Sequence, residues 1–453
     1  MPGPAGRPIR KGESRWEELG GIAMFSYRGW LKQQYHFHES LVDLGLAVDE
    51  EVRAVFKELE AVARVNHARV LHAFLEAGVA DYHFGGSTGY GYGDLGRSTL
   101  EEVFRRVFGA EAALVRTSIA SGTHALALCL FGVLRPGDEL LVLGEIYPTL
   151  RGLVGLDGGG PGSLSEWGIE CRQAPLDTDP EAVLRPNTRA VFLQRSAGYS
   201  RGSSLGIPVL SQLINRFKRV APEVIIIVDN CYGEFVEMLE PSHVEADLVA
   251  GSLIKNPGGG LAPAGGYVVG RQDLVERAAA RLTAPGLEGL VGAEPQGYRL
   301  LYQGLYLAPL MVAEALKTAV FAARLFERLG FEVFPPHNAP RTDIVQAVEL
   351  GSPQRLLAFC RGLQKASPVD SRALPEPSYL PGYRGEVLMA AGTFVQGASL
   401  ELSADAPWEP PYTVYLQGGL SYCYGQIGVL AAAQELLAAG LLPRPLQEDI
   451  VAR

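Results

Sequence analysis

The chain has 453 residues, 47% hydrophobic and 20% charged, with a formal net charge of −10 at pH 7. That balance supports a sizeable folded core and excludes bulk disorder. The acidic excess argues against a nucleic-acid or anionic-membrane partner.

The opening residues 1–15 read as a tail rich in Pro, Gly and Arg, without the apolar run of a secretory signal. The apolar stretch Val224–Val228 is far too short to span a bilayer. Five scattered cysteines, at 129, 171, 231, 360 and 423, have no metal-ligand spacing. Their odd number suits free thiols in a reducing compartment, so a cytosolic protein is expected. His36 and His38 share one side of an extended stretch and lack further ligands, which makes them ordinary surface residues.

Residues 38–78 are amphipathic and proline-free, which predicts a long helix. A glycine–tyrosine loop, HFGGSTGYGYGDLGR, follows it. The next helix is STLEEVFRRVFG, whose Ser-Thr-Leu-Glu start reads as a capping box. Short apolar strands then alternate with helices. AALVR, ELLVL, AVFLQR, VIIIVDN, ADLVAGS and GGYVVG read as strands; SGTHALALCLFGVL and IPVLSQLINRFKRV read as helices. This pattern predicts an α/β fold with a large, mostly parallel sheet covered on both faces. A smaller α+β domain is expected C-terminal to it. The boundaries predicted are 1–79, 80–300 and 301–453.

Ligands of such sheets collect beyond the carboxyl ends of the strands, where three motifs fall. In IASGTHAL, Ser121, Gly122 and Thr123 offer amides and hydroxyls to an anion at a helix N-terminus, although Ser121 reads equally as a helix cap. His124 reads as a packed or capping residue. Asp229 ends an apolar strand, where a carboxylate is costly unless a cation or proton donor meets it. Ser252 and Lys255 follow the next strand, before Asn256-Pro257 and three glycines that loosen the backbone. Most lysines are solvated surface charges. Apolar and small neighbours surround this one, and desolvation would lower its pKa and make it a nucleophile toward carbonyls. Phosphate cradle, acid and lysine, in that order, suit pyridoxal phosphate. GGGLAPAGG lacks the glycine order of a nucleotide-binding loop, and GGSTGYGYG precedes the first sheet strand instead of following it.

Over about residues 65–430 the chain resembles the fold-type I pyridoxal phosphate enzymes of cysteine and methionine metabolism, and within them the methionine γ-lyase-like, aluminium-resistance branch. The resemblance rests on TGYGYGDLGRSTLE, SGTHALA, LRPGDELL, SLIKNPGGGLAPAGGY, GTFVQGASLELSAD and YLQGGLSY. It implies that Lys255 forms the Schiff base and shuttles protons, and that Asp229 partners the pyridine nitrogen. Ser252, with Gly122 and Thr123, would bind phosphate. Tyr147 would stack on the ring and assist leaving-group departure. Tyr92 would reach the phosphate of a neighbouring subunit, implying a homodimer or homotetramer.

The chain departs from the wider superfamily at three places. Asp94 stands for an arginine, Ile254 for a threonine, and Glu401 for the arginine that clamps the substrate carboxylate. Arg195, ending the strand AVFLQ, is the candidate for that clamp. EIYPTL also replaces the branch's Pro-Tyr-Asp-Thr around Tyr147. The implied function is elimination from the β or γ carbon of a sulfur-containing L-amino acid. Transamination, racemisation, or a non-catalytic binding protein of the same fold are the alternatives.

Overall fold

Two helices open the computed structural model, which describes residues 26–199, 204–383, 385–444 and 446. The tail expected at 1–15 lies outside them. Helix α1 spans Tyr27–Gln33, and α2, Glu39–Glu76, fills the proline-free stretch read as helix. Helix α3 is Leu95–Phe108, and here the expected start is corrected. Asp94 is the N-cap, its side chain accepting the Arg97 amide. Ser98 lies inside the helix, and Glu101 pairs with Arg116 and the Val115 amide instead of closing a capping box.

The alternation that follows gives β1 (Ala112–Arg116), α4 (Gly122–Val133), β2 (Glu139–Leu143), α5 (Pro148–Val154), β3 (Glu170–Ala174), α6 (Pro180–Val183) and β4 (Thr188–Gln194). It continues with α7 (Ile207–Val220), β5 (Ile225–Asp229), β6 (Leu248–Ser252), β7 (Gly266–Gly270) and α8 (Gln272–Leu282). Among the described residues these strands form one sheet, in the order β1-β7-β6-β5-β4-β2-β3. Strand β7 runs antiparallel to both of its neighbours, and the other pairs are parallel. The sequence reading missed β3, ECRQA. It pairs only with β2 at the sheet edge and is half-exposed, so it needs no apolar run.

Helix α9 (Arg299–Arg328) is long and apolar enough to cross a membrane by composition, but 67% of its apolar stretch is buried inside the fold. It leads to β8 (Glu332–Phe334), β9 (Gln346–Glu349), α10 (Pro353–Lys365), β10 (Ser378–Tyr379), β11 (Glu386–Ala390), β12 (Ser403–Pro407), β13 (Thr413–Gln417) and α11 (Tyr422–Ala438). These strands form an antiparallel sheet, β10-β11-β12-β13-β9-β8.

Helices α2 and α9 each serve two cores. Val70 and Ala73 of α2, with Leu305 and Val312 of α9, join the cluster on one face of the large sheet. Val42 and Val48 of α2, with Phe321 and Phe326 of α9, join the cluster against the second sheet. The predicted division at 79/80 falls just after α2 and the one at 300/301 falls inside α9, helices that both cores share. Phe326 is fully buried between Phe331 and Phe359, with ring centroids 5.6 and 5.3 Å away. Phe326→Ala is expected to cost about 3–5 kcal/mol, read as a lowered calorimetric transition of the full chain.

Candidate active site

The carboxyl ends of β4, β5 and β6 lie side by side, with Gln194 in register with Asp229 and Asp229 with Ala250. Strand side chains alternate faces, so Gln194, Asp229 and Ser252 emerge on one side of the sheet. There they line a cavity of about 380 Å³, together with Ser121, Gly122, Thr123, Tyr147 and Lys255. The three motifs, separate in sequence, are thus brought together.

Ser121 caps α4, its hydroxyl accepting the His124 amide at 3.1 Å. Capping and cavity lining coexist in this residue. His124 is a capping side chain too, Nδ1 accepting the Ala120 amide at 3.0 Å. Thr123 Oγ1 lies 3.0 Å from Thr149 Oγ1 at the start of α5. A Cβ on Gly122 would come 3.0 Å from Cys231 Sγ and 3.5 Å from Ser252. Only glycine leaves this helix start bare beside the serine.

Asp229 is buried, and Oδ1 accepts the Cys231 amide at 3.0 Å. Burial pushes its pKa up to about 6 against the opposing pull of the Cys231 hydrogen bonds and the Lys255 charge. Lys255 Nζ donates to Tyr232 Oη at 2.5 Å and to Ser399 Oγ at 3.0 Å. Burial alone would depress this ammonium, as the sequence suggests. The Tyr232 and Cys231 groups and Asp405 overcome it, so the net shift is upward. Against the desolvation expected from sequence, these neighbours favour the charged form of the amine.

The three glycines after Lys255 also behave unlike the loose hinge they suggest. Asn256–Gly258 form a 3₁₀ turn, and Gly259 has φ 55°. A Cβ on Gly258 would strike the Leu253 carbonyl, and one on Gly259 the Gly304 carbonyl in α9. The glycines allow close backbone packing, which fixes the lysine turn against a core helix.

Several residues in and around the cavity escaped the sequence reading. The Tyr147 amide donates to Gln194 Oε1 at 2.6 Å. Its hydroxyl donates to Tyr199 at 3.0 Å and lies 2.7 Å from that of Tyr383. Tyr199 in turn donates to Asp405 Oδ2, on β12, at 3.0 Å. Burial raises the Asp405 pKa, opposed by the Lys255 charge and by hydrogen bonds from Tyr199 and Gln417. Beyond the tyrosines a second cavity, of about 800 Å³, shares Thr149 with the first and is lined by Arg151, Asp157, Glu386 and Trp408. Tyr383 and Asp405 come from loop and strand positions whose proximity to Tyr147 no local pattern announces. Tyr232 had a signal: it stands three residues after the acid.

Arg195 does not clamp a substrate. It follows Gln194 by one residue and points to the opposite face, where it is fully buried. Its guanidinium pairs with Glu237 at 2.7 Å and Glu240 at 3.2 Å, and donates to Asn230 at 2.8 Å. The strand's period of two, applied to QRS, would have excluded it. Glu401 is a loop organiser, accepting the Phe394 and Val395 amides at 2.7 and 2.9 Å; the next residues, Gln396 and Gly397, line the cavity. Asp94 caps α3 and accepts the Tyr298 hydroxyl at 2.6 Å. Ile254 lines the cavity. Tyr92 is exposed and lies against Tyr90, away from the cavity of its own chain.

This donor set fits a phosphorylated pyridine aldehyde. The glycine-bared helix start and Ser252 suit the phosphate, the Asp229 carboxyl suits a ring N–H, and Lys255 supplies the amine. The five cysteines are all unpaired by disulfides.

Comparison with known proteins places this chain in a family. The family model described as methionine gamma-lyase matches residues 42–437. YnbB of Bacillus subtilis, an uncharacterized protein, is 46% identical over 89% of this chain and 98% of its own. The structure of a carbon-sulfur lyase involved in aluminum resistance from Clostridium novyi NT superposes with a TM-score of 0.85 at 41% identity, covering 90% of this chain and 98% of that one. The L-methionine gamma-lyase of Pseudomonas putida is more distant, 26% identical over 58% of this chain and 65% of its own length. With the family model spanning most of its length, the chain belongs to the methionine gamma-lyase family.

Proposed function

We propose that this protein is a pyridoxal phosphate-dependent carbon–sulfur lyase, removing the α-proton of a sulfur-containing L-amino acid and eliminating its β or γ substituent. The observation that carries the reading is the meeting of Ser121–Thr123, Asp229, Ser252 and Lys255 around one cavity. The C. novyi and P. putida relatives, a carbon-sulfur lyase and an L-methionine gamma-lyase, support the reaction class.

Pyridoxal phosphate, when bound, supplies an electron sink for the charge left on the α carbon. The amides at the start of α4 and the Ser252 hydroxyl hold its phosphate, where the helix dipole favours an anion. Asp229 keeps a proton on the ring nitrogen. Lys255 would supply the amine that holds the aldehyde and would take and return substrate protons. Tyr147, on the wall of the same cavity, would stack on the ring and assist leaving-group departure. The exposed Tyr92 serves the site of a second copy in a homo-oligomer. Asp94 and Glu401, the departures that favour a binding protein without catalysis, are occupied in capping a helix and holding a loop.

Lys255→Ala is expected to lower release of thiol and keto acid by about 10³-fold or more and to abolish the yellow absorbance of the purified protein. A mutant that keeps both at the wild-type level overturns the assignment.

Asp229 adds a pH dependence in protein freed of cofactor. Its folded pKa of about 6 lies above that of an unfolded aspartate, so its contribution to stability is complete below about pH 4 and is lost as pH rises through about 6. Asp229→Asn cannot ionise. Relative to wild type it should gain about 3 kcal/mol above pH 6 and nothing at pH 4, read by denaturant titration at each pH. In the loaded protein the same substitution should weaken cofactor retention.

A further inference from the structure

The second cavity is the larger of the two, about 800 Å³ against about 380 Å³. It lies between α5 and the place where β11 begins and β12 ends. Val387 is in register with Pro407, and the Trp408 amide donates to the Glu386 carbonyl at 2.9 Å, which sets Trp408 beside Glu386 on the wall. Thr149 of α5 lines both cavities. Elsewhere they meet at tyrosines. Tyr147 lines the first cavity, Tyr199 and Tyr383 line the second, and the three hydroxyls lie 2.7 to 3.2 Å from one another.

Two glycines keep the larger space open. Gly152, inside α5, and Gly160 both line it, and a Cβ on either would meet nothing within 4 Å. Neither has a φ in the left-handed region. Glycine inside a helix is destabilising relative to alanine, and here neither backbone conformation nor packing asks for it. The width it leaves suits an occupant.

The walls describe that occupant. Trp408, Tyr199, Tyr383 and Tyr415 bring aromatic rings, and Pro407 brings an apolar one. Among the described residues the charged lining is one cation against three carboxylates. Arg151 is held by Asp157 at 3.0 Å, and Glu386 and Glu409 are left over. An anion entering here meets like charge, whereas an uncharged aromatic group meets rings to pack on.

We propose that the second cavity is the subsite for the group carried on the departing sulfur, and that the substrate class is a cysteine or homocysteine thioether bearing an uncharged aromatic group. This rests on the lyase reading above. In it the departing sulfur lies beside Tyr147, whose hydroxyl already touches Tyr199 and Tyr383 of the second cavity. A methyl substituent leaves that space unused, and cavities of this volume ordinarily enclose ligands of many atoms.

The test separates binding from turnover. The full chain freed of cofactor is titrated calorimetrically with S-benzyl-L-cysteine, S-(4-carboxybenzyl)-L-cysteine and S-methyl-L-cysteine. The benzyl compound is expected to bind about tenfold more tightly than either of the others. Trp408→Ala should remove that advantage. Gly152→Leu places a side chain in open space at the cavity wall; it should do the same, and it serves if Trp408→Ala fails to fold. Glu386→Gln combined with Glu409→Gln should bring the carboxybenzyl compound close to the benzyl one. In the loaded enzyme, thiol release should show the benzyl preference in kcat/KM, with the benzyl-to-methyl ratio lowered about tenfold by Gly152→Leu. Benzyl binding no tighter than methyl binding, a benzyl preference that survives Gly152→Leu, or tighter binding of the carboxybenzyl compound overturns the proposal. Those results would leave the lyase reading intact, because that reading stands on Lys255→Ala. A benzyl preference lost in both variants, with no thiol released from any compound, supports the subsite and overturns the lyase reading instead.

Discussion

Alternation of side chains along a strand decides which residues at the ends of β4, β5 and β6 can do chemistry. Gln194, Asp229 and Ser252 share the parity that faces the cavity, and Arg195 and Asn230 have the other. The two sets then live in different environments. On the cavity side a lone carboxyl is left with one backbone donor and an elevated pKa. On the far side, Arg195 is satisfied by Glu237, Glu240 and Asn230 in a buried ionic cluster, where charges tolerate burial only because they are paired. One residue of register separates an acid poised for a ligand from an arginine committed to the core.

Much of this was readable in advance. The order of a capping helix start, an acid closing an apolar strand and a lysine after the next strand is local information, and the parallel sheet turns that order into proximity. The long helix α2 follows from periodicity, and the strands of the large sheet other than β3 follow from apolar runs that burial on both faces enforces. Other features are set by tertiary partners. The polar edge strand β3 exists because β2 offers it hydrogen bonds. The true cap of α3 is Asp94, chosen by the tyrosine and serine that surround its carboxylate. The Tyr147–Tyr199–Tyr383–Asp405 cluster joins loops and strands from both sheets, and no spacing rule links them.

Electrostatics around Lys255 illustrate the same limit. From sequence, apolar neighbours argue for a depressed pKa. In the fold, a phenol and a thiol from the turn after β5 and a carboxyl from β12 converge on the amine and reverse the direction. Such a lysine keeps a proton available, and the chemistry proposed for it needs proton delivery as well as attack. The charged groups that differ from the superfamily pattern are explained by local hydrogen bonding: Asp94 by a helix start, Glu401 by two amides of the loop that closes the cavity wall.

The contact between Gly258, Gly259 and Gly304 has a mechanical meaning. Two backbones touch there with no side chain between them, so nothing compressible separates the amine's turn from α9. Helix α9 lines neither cavity, yet it is embedded in the cores of both sheets. The position of the reactive nitrogen is thereby referenced to a buried rod, and a disturbance that tilts that rod reaches the nitrogen without passing through any ligand.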